Sequence, residues 1–348
     1  MPLMKVAMYY NNNDVRIEEM PVPEIGPDEL LVKVMASGIC GSDVMEWYRL
    51  KKAPRVLGHE IAGIITEAGE HVKNYKEGDR VFVSHHVPCD TCRYCRAGQH
   101  TLCDTLHSTN FYPGGFAEYI RVPKINVEKG TFKLPPEMSY EEGVFIEPLA
   151  CVIRGLRIAG VKEGQSALVI GSGISGLLHI KLLKVLGAST IMATDINEYR
   201  LRKAREFGAD AVLHAGGDVP QEVSDITHGE MADVVITCTG APAAVSQAIA
   251  SVGRGGTILF FAPTAPDVKI PFPLFELWNK GITMVSTYAG APKDIREAID
   301  LIASGKMNVT DMITHRLPLE EAARGFRLVA EAKKSLKVIL EPHTAEKH

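Results

Sequence analysis

The sequence predicts an α/β chain of two folding units, one a doubly wound parallel sheet of six strands and the other mainly β. Three observations carry this expectation. From about Ser166 onward, apolar runs alternate regularly with amphipathic stretches, the pattern of strands joined by crossover helices. A glycine-rich turn, Gly171-Ser172-Gly173-Ile174-Ser175-Gly176, follows the first of those runs and opens a helix. The 348 residues are too many for one ordinary core, and an apolar content of 46% is ample for two.

Before Ser166 the chain is irregular and punctuated by glycine. Leu30 to Ala36 and Ile61 to Glu67 read as strands, with a turn at Glu77 to Asp79, so this part is expected to be all-β or α+β. The six strands of the sheet are predicted at Ala167 to Gly171, Thr190 to Asp195, Ala211 to His214, Asp233 to Cys238, Gly256 to Phe261 and Ile282 to Thr287. Helices fall between successive strands except in the last gap, where Pro263, Pro266, Pro271 and Pro273 predict irregular chain. Beyond the sheet, Pro292 to Ser304 reads as a helix and Lys337 to Leu340 as a strand with no crossover partner. The chain is therefore expected to return to its first unit, giving domains 1–150 with 288–348, and 151–287. The polar tail from Pro342 to His348 is expected to fray.

A net charge of -4 gives no electrostatic reason for a nucleic-acid or anionic-membrane partner, which favours a small-molecule ligand. Met1 to Tyr10 lacks the pattern of a secretory leader, and the most apolar helical stretch, Ile174 to Leu186, is interrupted by His179, Lys181 and Lys184. Cytoplasm is the expected compartment, where thiols stay reduced.

Four of the seven cysteines, Cys89, Cys92, Cys95 and Cys103, fall within fifteen residues. Their C-x2-C-x2-C-x7-C spacing puts four thiolates on one small loop, as a tetrahedral all-sulfur zinc site requires. A ferredoxin-like iron site is the alternative. Such runs close with a short spacing and a Cys-Pro pair, whereas the final gap here is long and polar, from Arg96 to Leu102, which suits structural zinc better. A second candidate centre comes from Cys40-Gly41-Ser42-Asp43 and Gly58-His59-Glu60, which offer a thiolate, an imidazole and a carboxylate. Glu147 adds an acid in the apolar segment Val144 to Val152, where an unpaired carboxylate is costly.

In the glycine-rich turn, Gly171, Gly173 and Gly176 permit a tight bend and let backbone NH groups, that of Ile174 among them, approach a pyrophosphate. Asp195 ends the second strand nineteen residues after Gly176, where a carboxylate accepts the adenosine ribose hydroxyls and repels a 2'-phosphate, so NAD is expected over NADP. Arg200 offsets part of that effect, covers the adenine, or is a solvated helix charge. Cys238, Thr239 and Gly240 end the fourth strand near the expected crevice, Cys238 being equally at home in the core.

Taken in order, Gly58-His59-Glu60-x2-Gly63-x5-Gly69-x2-Val72, the four-cysteine loop, Gly114-Gly115-Phe116-Ala117-Glu118-Tyr119 and the glycine-rich turn resemble the zinc-dependent medium-chain alcohol and polyol dehydrogenases over essentially the whole chain. Phe145-Ile146-Glu147-Pro148-Leu149-Ala150-Cys151 is most similar to the sorbitol and L-iditol dehydrogenase branch, near threonine 3-dehydrogenase. The resemblance implies a GroES-like catalytic domain carrying a structural zinc lobe at 86–105, and a Rossmann cofactor domain. It implies two zinc ions per chain, with Cys40, His59 and Glu60 on the catalytic ion, Glu147 on it directly or through water, and the four cysteines on the structural one. One thiolate and one direct carboxylate balance the charge of Zn2+, so a second direct carboxylate would make the centre anionic, and Glu147 is expected to exchange with water. Ser42 resembles the hydroxyl that takes the alcohol proton, but relatives often carry a histidine where this chain has Met45, a thioether that cannot pass a proton on. The implied reaction oxidises a secondary alcohol of a polyol to a ketone with hydride transfer to NAD. Alternatives are L-threonine or another alcohol as substrate, or a catalytically silent NAD-binding relative. The stretch Ser286 to Gly290 lacks the arginine that holds polyol hydroxyls in mammalian-type sorbitol dehydrogenases. Trp47, Phe111, Tyr112 and Tyr288 are candidate pocket walls, and a homotetramer or homodimer joined through the cofactor domain is implied.

Overall fold

A computed structural model describes residues 2–343. The chain divides into two compact units, Met1–Ala150 with Ala289–His348, and Cys151–Tyr288, so the return falls one residue later than expected.

The first unit begins with strands β1 (Leu3–Asn11) and β2 (Asp14–Pro21), an antiparallel hairpin that sequence reasoning did not delimit. It continues with β3 (Leu30–Ile39), β4 (Arg55–Val56), β5 (Glu60–Ala68), β6 (Arg80–Val83), β7 (Tyr119–Val122) and β8 (Thr131–Lys133). The second unit holds β9 (Ser166–Ile170), β10 (Thr190–Asp195), β11 (Ala211–His214), β12 (Ala232–Thr237), β13 (Val252–Phe260) and β14 (Thr283–Ser286). Strands β15 (Ile313–Pro318) and β16 (Lys337–Glu341) belong to the first unit again.

In the first unit β3 is the organising strand. Antiparallel β5 lies along one edge. The other edge is shared: β7 pairs its first half, Leu30 to Lys33, and β16 its second half, Ser37 to Ile39. Both faces of β3 are largely buried, so its sequence, Leu-Leu-Val-Lys-Val-Met-Ala-Ser-Gly-Ile, runs apolar with little alternation. Leu30, Val32, Val34, Ile61, Ile65, Val81 and Val83 form the core of this sheet. A second cluster under the hairpin joins Tyr9, Phe116 and Phe326, with ring centroids 5.6 Å apart for both Phe326 pairs. The tail differs from expectation at its start: Pro342 is buried, and His343 Nε2 lies 3.1 Å from the Glu118 carbonyl. Residues 344–348 lie outside the described residues.

The second unit is a six-stranded sheet, all parallel, in the order β11-β10-β9-β12-β13-β14. The order reverses at β9, whose neighbours are β10 and β12, and this switch point is where such sheets bind ligands. The last gap departs from expectation. Its prolines give irregular chain only as far as Pro273, which caps a helix over Leu274–Lys280 that closes on left-handed Gly281 (φ 65°). Leu274, Phe275 and Trp278 on that helix are each 74% exposed.

Candidate functional site

The four-cysteine loop follows β6 and is built from short turns. Cys89 Sγ lies 3.5 Å from Cys103 Sγ and 4.0 Å from Cys95 Sγ, and Cys92 and Cys95 are 3.5 Å apart. All four sulfurs lie within 4.8 Å of one another. The Thr91 hydroxyl, with the NH groups of Thr91 and Cys92, donates to Cys89 Sγ and holds that thiol down to about 5. Burial, with the neighbouring thiol of Cys92, pushes Cys95 up to about 12. Four thiolates this close repel one another, and a dication at their centre lets all four ionise. The donor set therefore fits a closed tetrahedral metal. Lys129 steadies the loop from below, donating to the Cys89 carbonyl at 2.7 Å and pairing with Asp90 at 2.9 Å.

Cys40 stands at the end of β3, and Glu60 opens its antiparallel partner β5, with His59 just before it. The pairing register sets Gly38 opposite Glu60, which brings the two chain ends together. One donor atom each from Cys40, His59 and Glu60 lies within 4.8 Å of the others. Asp43, fully buried, sits behind this group with Oδ1 3.5 Å from His59 Nδ1, and its Oδ2 accepts from the Cys40 NH at 3.0 Å. Burial opposes the carboxylate of Asp43, but His59, Arg49 and the Cys40 NH together hold its pKa low. Burial likewise opposes a charged His59, yet Asp43 and Cys40 raise its pKa well above the ordinary value. The pocket thus attracts positive charge, the electrostatic condition for a cation site. With Asp43 on Nδ1, Nε2 is the ring nitrogen left for a metal.

Glu147 is in the same unit but not in that group. It lines a small adjoining cavity with Ser84, His85, His86, Ala150, Ala289, Gly290 and Ile295. His85 stacks between His59 and His86, at centroid distances of 5.0 and 3.7 Å. Burial drives both of these imidazoles towards the neutral form, His86 to about 3. Ser42 follows Cys40, and its Oγ accepts from Arg49 Nη2 at 2.9 Å while its carbonyl accepts from Arg49 Nε at 2.9 Å. Arg49 also reaches Asp43 Oδ1 at 3.2 Å. A guanidinium stays protonated, so Arg49 fixes the hydroxyl without carrying its proton. Of the candidate pocket walls, Phe111 is instead a core residue packed with the β3 cluster, whereas Trp47, Tyr112 and Tyr288 are partly exposed.

In the second unit the glycine-rich turn joins β9 to the helix Ile174–Val185. Gly171 is left-handed (φ 95°), and a Cβ at Gly176 would lie 2.0 Å from the Gly171 carbonyl oxygen, so only glycine fits there. Gly173 caps the helix with no side-chain hydrogen bond, which leaves the first NH groups for a ligand. Asp195 is nearly buried at the end of β10; Ser172 NH donates to its Oδ2 at 2.8 Å and Asn197 NH to its Oδ1 at 2.9 Å. Each oxygen keeps a further lone pair for a hydroxyl. Arg200 Nη1 stands 4.0 Å from Asp195 Oδ2, and a Cβ on Gly173 would sit 3.7 Å from it, so this arginine faces the turn. Thr239 and Cys238, after β12, flank Gly171. These residues fit a dinucleotide.

Arg49, His85, His86 and Lys337 escaped the sequence reading. The sequence does carry signals for three of them: the adjacent His85-His86 pair shortly before the cysteine loop, and a lysine that opens the otherwise apolar stretch Lys337 to Leu340.

Comparison with known proteins gives consistent matches. The alcohol dehydrogenase GroES-like domain matches residues 26–135, and the zinc-binding dehydrogenase domain matches residues 175–304. Sorbitol dehydrogenase of Mus musculus is 36% identical over 94% of this chain and 92% of its own length. L-threonine 3-dehydrogenase of Bacillus velezensis is also 36% identical, over 94% of this chain and 95% of its own. A Sinorhizobium meliloti 1021 crystal structure, assigned to the zinc-binding dehydrogenases and bound to NADP, superposes with a TM-score of 0.87 at 30% identity, covering 98% of this chain and all of that one.

Proposed function

The chain belongs to the zinc-binding alcohol dehydrogenase family, with a GroES-like domain and a Rossmann sheet, and from that premise we propose that it oxidises a secondary alcohol of a polyol to a ketone, passing hydride to NAD. The convergence of Cys40, His59 and Glu60 on one point carries the reading. When bound, the groups this family uses supply Lewis acidity at a zinc ion and hydride acceptance at a nicotinamide.

The chain's own residues do the rest. Cys40, His59 and Glu60 hold the catalytic ion, and Asp43 orients the His59 ring. Glu147 adjoins them and reaches the ion directly or through water. Cys89, Cys92, Cys95 and Cys103 hold a structural ion remote from chemistry. Ser42, steadied by Arg49, accepts the alcohol proton and releases its own; with Met45 beyond it, water completes the exit. Neutral His85 and His86, with Ser84 and Glu147, offer a wall of hydrogen-bonding groups suited to hydroxyls. Asp195 takes the adenosine ribose hydroxyls and selects NAD.

The reading also places the protein in the cytoplasm, as a homotetramer or homodimer joined along β14. No helix among the described residues is long and apolar enough to cross a membrane.

The test is NAD reduction by zinc-loaded protein over polyols, cyclic polyols, sugar phosphates, L-threonine and simple alcohols, with metal content measured in parallel. Polyol oxidation that vanishes in Cys40→Ser, with two zinc ions in the parent chain, is expected. Oxidation of L-threonine alone would move the substrate to the amino-acid branch, and one zinc with no turnover would indicate a silent relative. Asp195→Ser should improve NADP use relative to NAD by about tenfold or more, since it removes a charge that repels the 2'-phosphate.

A further inference from the structure

A buried lysine closes the Cys40, His59 and Glu60 group from behind. Lys337, the first residue of β16, is fully buried, and its Nζ donates to Glu60 Oε2 at 2.5 Å. Glu60 is 1% exposed, and its other oxygen, Oε1, has no hydrogen-bond partner among the described residues. The pair fits because residue 38 is glycine: a Cβ there would meet Glu60 Oε2 at 2.2 Å and lie 3.3 Å from Lys337 Nζ. The Phe145 ring, centred 5.6 Å from the ammonium, covers its outer side. A charged pair in a dry interior is no better for stability than well-packed apolar side chains, so packing alone gives no reason for lysine beside Val338, Ile339 and Leu340.

We propose that Lys337 is a positioning residue of the catalytic metal centre. It grips the outer oxygen of Glu60, leaves Oε1 for the metal, and cancels one unit of the ligands' negative charge. The inference rests on the zinc reading above. Cys40 thiolate and Glu60 carboxylate by themselves neutralise Zn2+, and His59 adds nothing. With Lys337 in contact, the ensemble carries one positive charge without Glu147 and is neutral with it. A second carboxylate can then approach without making the centre anionic, which removes the electrostatic objection to direct Glu147 ligation.

The test times zinc loss to a chelator from the full-length protein, with Cys40→Ser identifying the catalytic ion. Lys337→Met and Lys337→Gln are expected to hold that ion about tenfold longer than the parent, because a cation beside it is gone, while alcohol turnover falls. Lys337→Arg should stay within about twofold of the parent in retention. Tighter metal with slower turnover is a signature that simple loss of structural support cannot give, since damage loosens metal. Unchanged or faster zinc loss in folded Lys337→Gln overturns the proposal. So does failure of that variant to fold with zinc present, since the metal takes Oε1 and no ammonium is left unpaired. Absence of any Cys40-dependent zinc in the parent would instead sink the zinc reading itself.

Discussion

His179 shows how one side chain can set a pH limit on the cofactor unit. Its Nδ1 donates to the Ser175 carbonyl at 2.8 Å, its Nε2 has no partner among the described residues, and its ring meets Phe261 edge-on at 4.6 Å. Burial lowers its pKa to about 4. The unfolded chain therefore binds a proton that the folded one refuses, and stability present above the unfolded pKa is lost as pH falls towards the folded one. Between about pH 7 and about pH 5 this amounts to about 2 kcal/mol. Urea unfolding of the cofactor unit is expected to weaken by that order over the interval, and His179→Gln to flatten the slope; an unaltered slope would assign the effect to another group. At this scale the four cysteines were legible from their spacing, and Cys40, His59 and Glu60 through the family resemblance. Arg49, His85 and Lys337 were not, because each acts through a partner brought near only by folding: Lys337 and Glu60 are 277 positions apart.

The elements divide along the same line. The parallel strands were read to within a residue or two at most ends because most are apolar runs bounded by turns, as burial on both faces requires in β9, β10 and β12. The β1–β2 hairpin was missed: β2 is largely exposed, so its sequence, Asp-Val-Arg-Ile-Glu-Glu-Met-Pro, carries no clear apolar signal. Prolines near 263–273 hid the short helix that follows them. Among the described residues the cysteine loop has a small buried cluster, Cys95, Cys103 and Leu106, so on the zinc reading it is the element expected to depend most on metal. Cys95→Ser is expected to lower zinc from two ions to one per chain and to open residues 86–105 to limited proteolysis, with the Rossmann sheet still protected. An uncut loop in the zinc-depleted variant would mean that packing alone holds it.

For the whole molecule, the sheet edge predicts assembly. Among the described residues strand β14 pairs only with β13; Met284 on it is 42% exposed, and Leu274, Phe275 and Trp278 on the preceding helix are exposed as well. An open edge with apolar cover invites pairing with a second copy. Native mass measurement is expected to give a dimer or tetramer, reduced to monomer by Trp278→Glu with Met284→Lys; a monomeric parent would refute it. The discontinuous first unit was foreseeable from a strand with no crossover partner, but which edge of β3 it joined was not. That placement gives the chain a timetable. During synthesis Cys40, His59 and Glu60 leave the ribosome early, whereas β16 emerges only after the entire cofactor unit. Until then the second half of β3 lacks its neighbour on that edge and Glu60 its counter-ion. On the zinc reading, a nascent or prematurely ended chain therefore presents Cys40, His59 and Glu60 without the neighbouring cation, so an ion taken up at that stage is held more tightly until Lys337 arrives with the finished polypeptide.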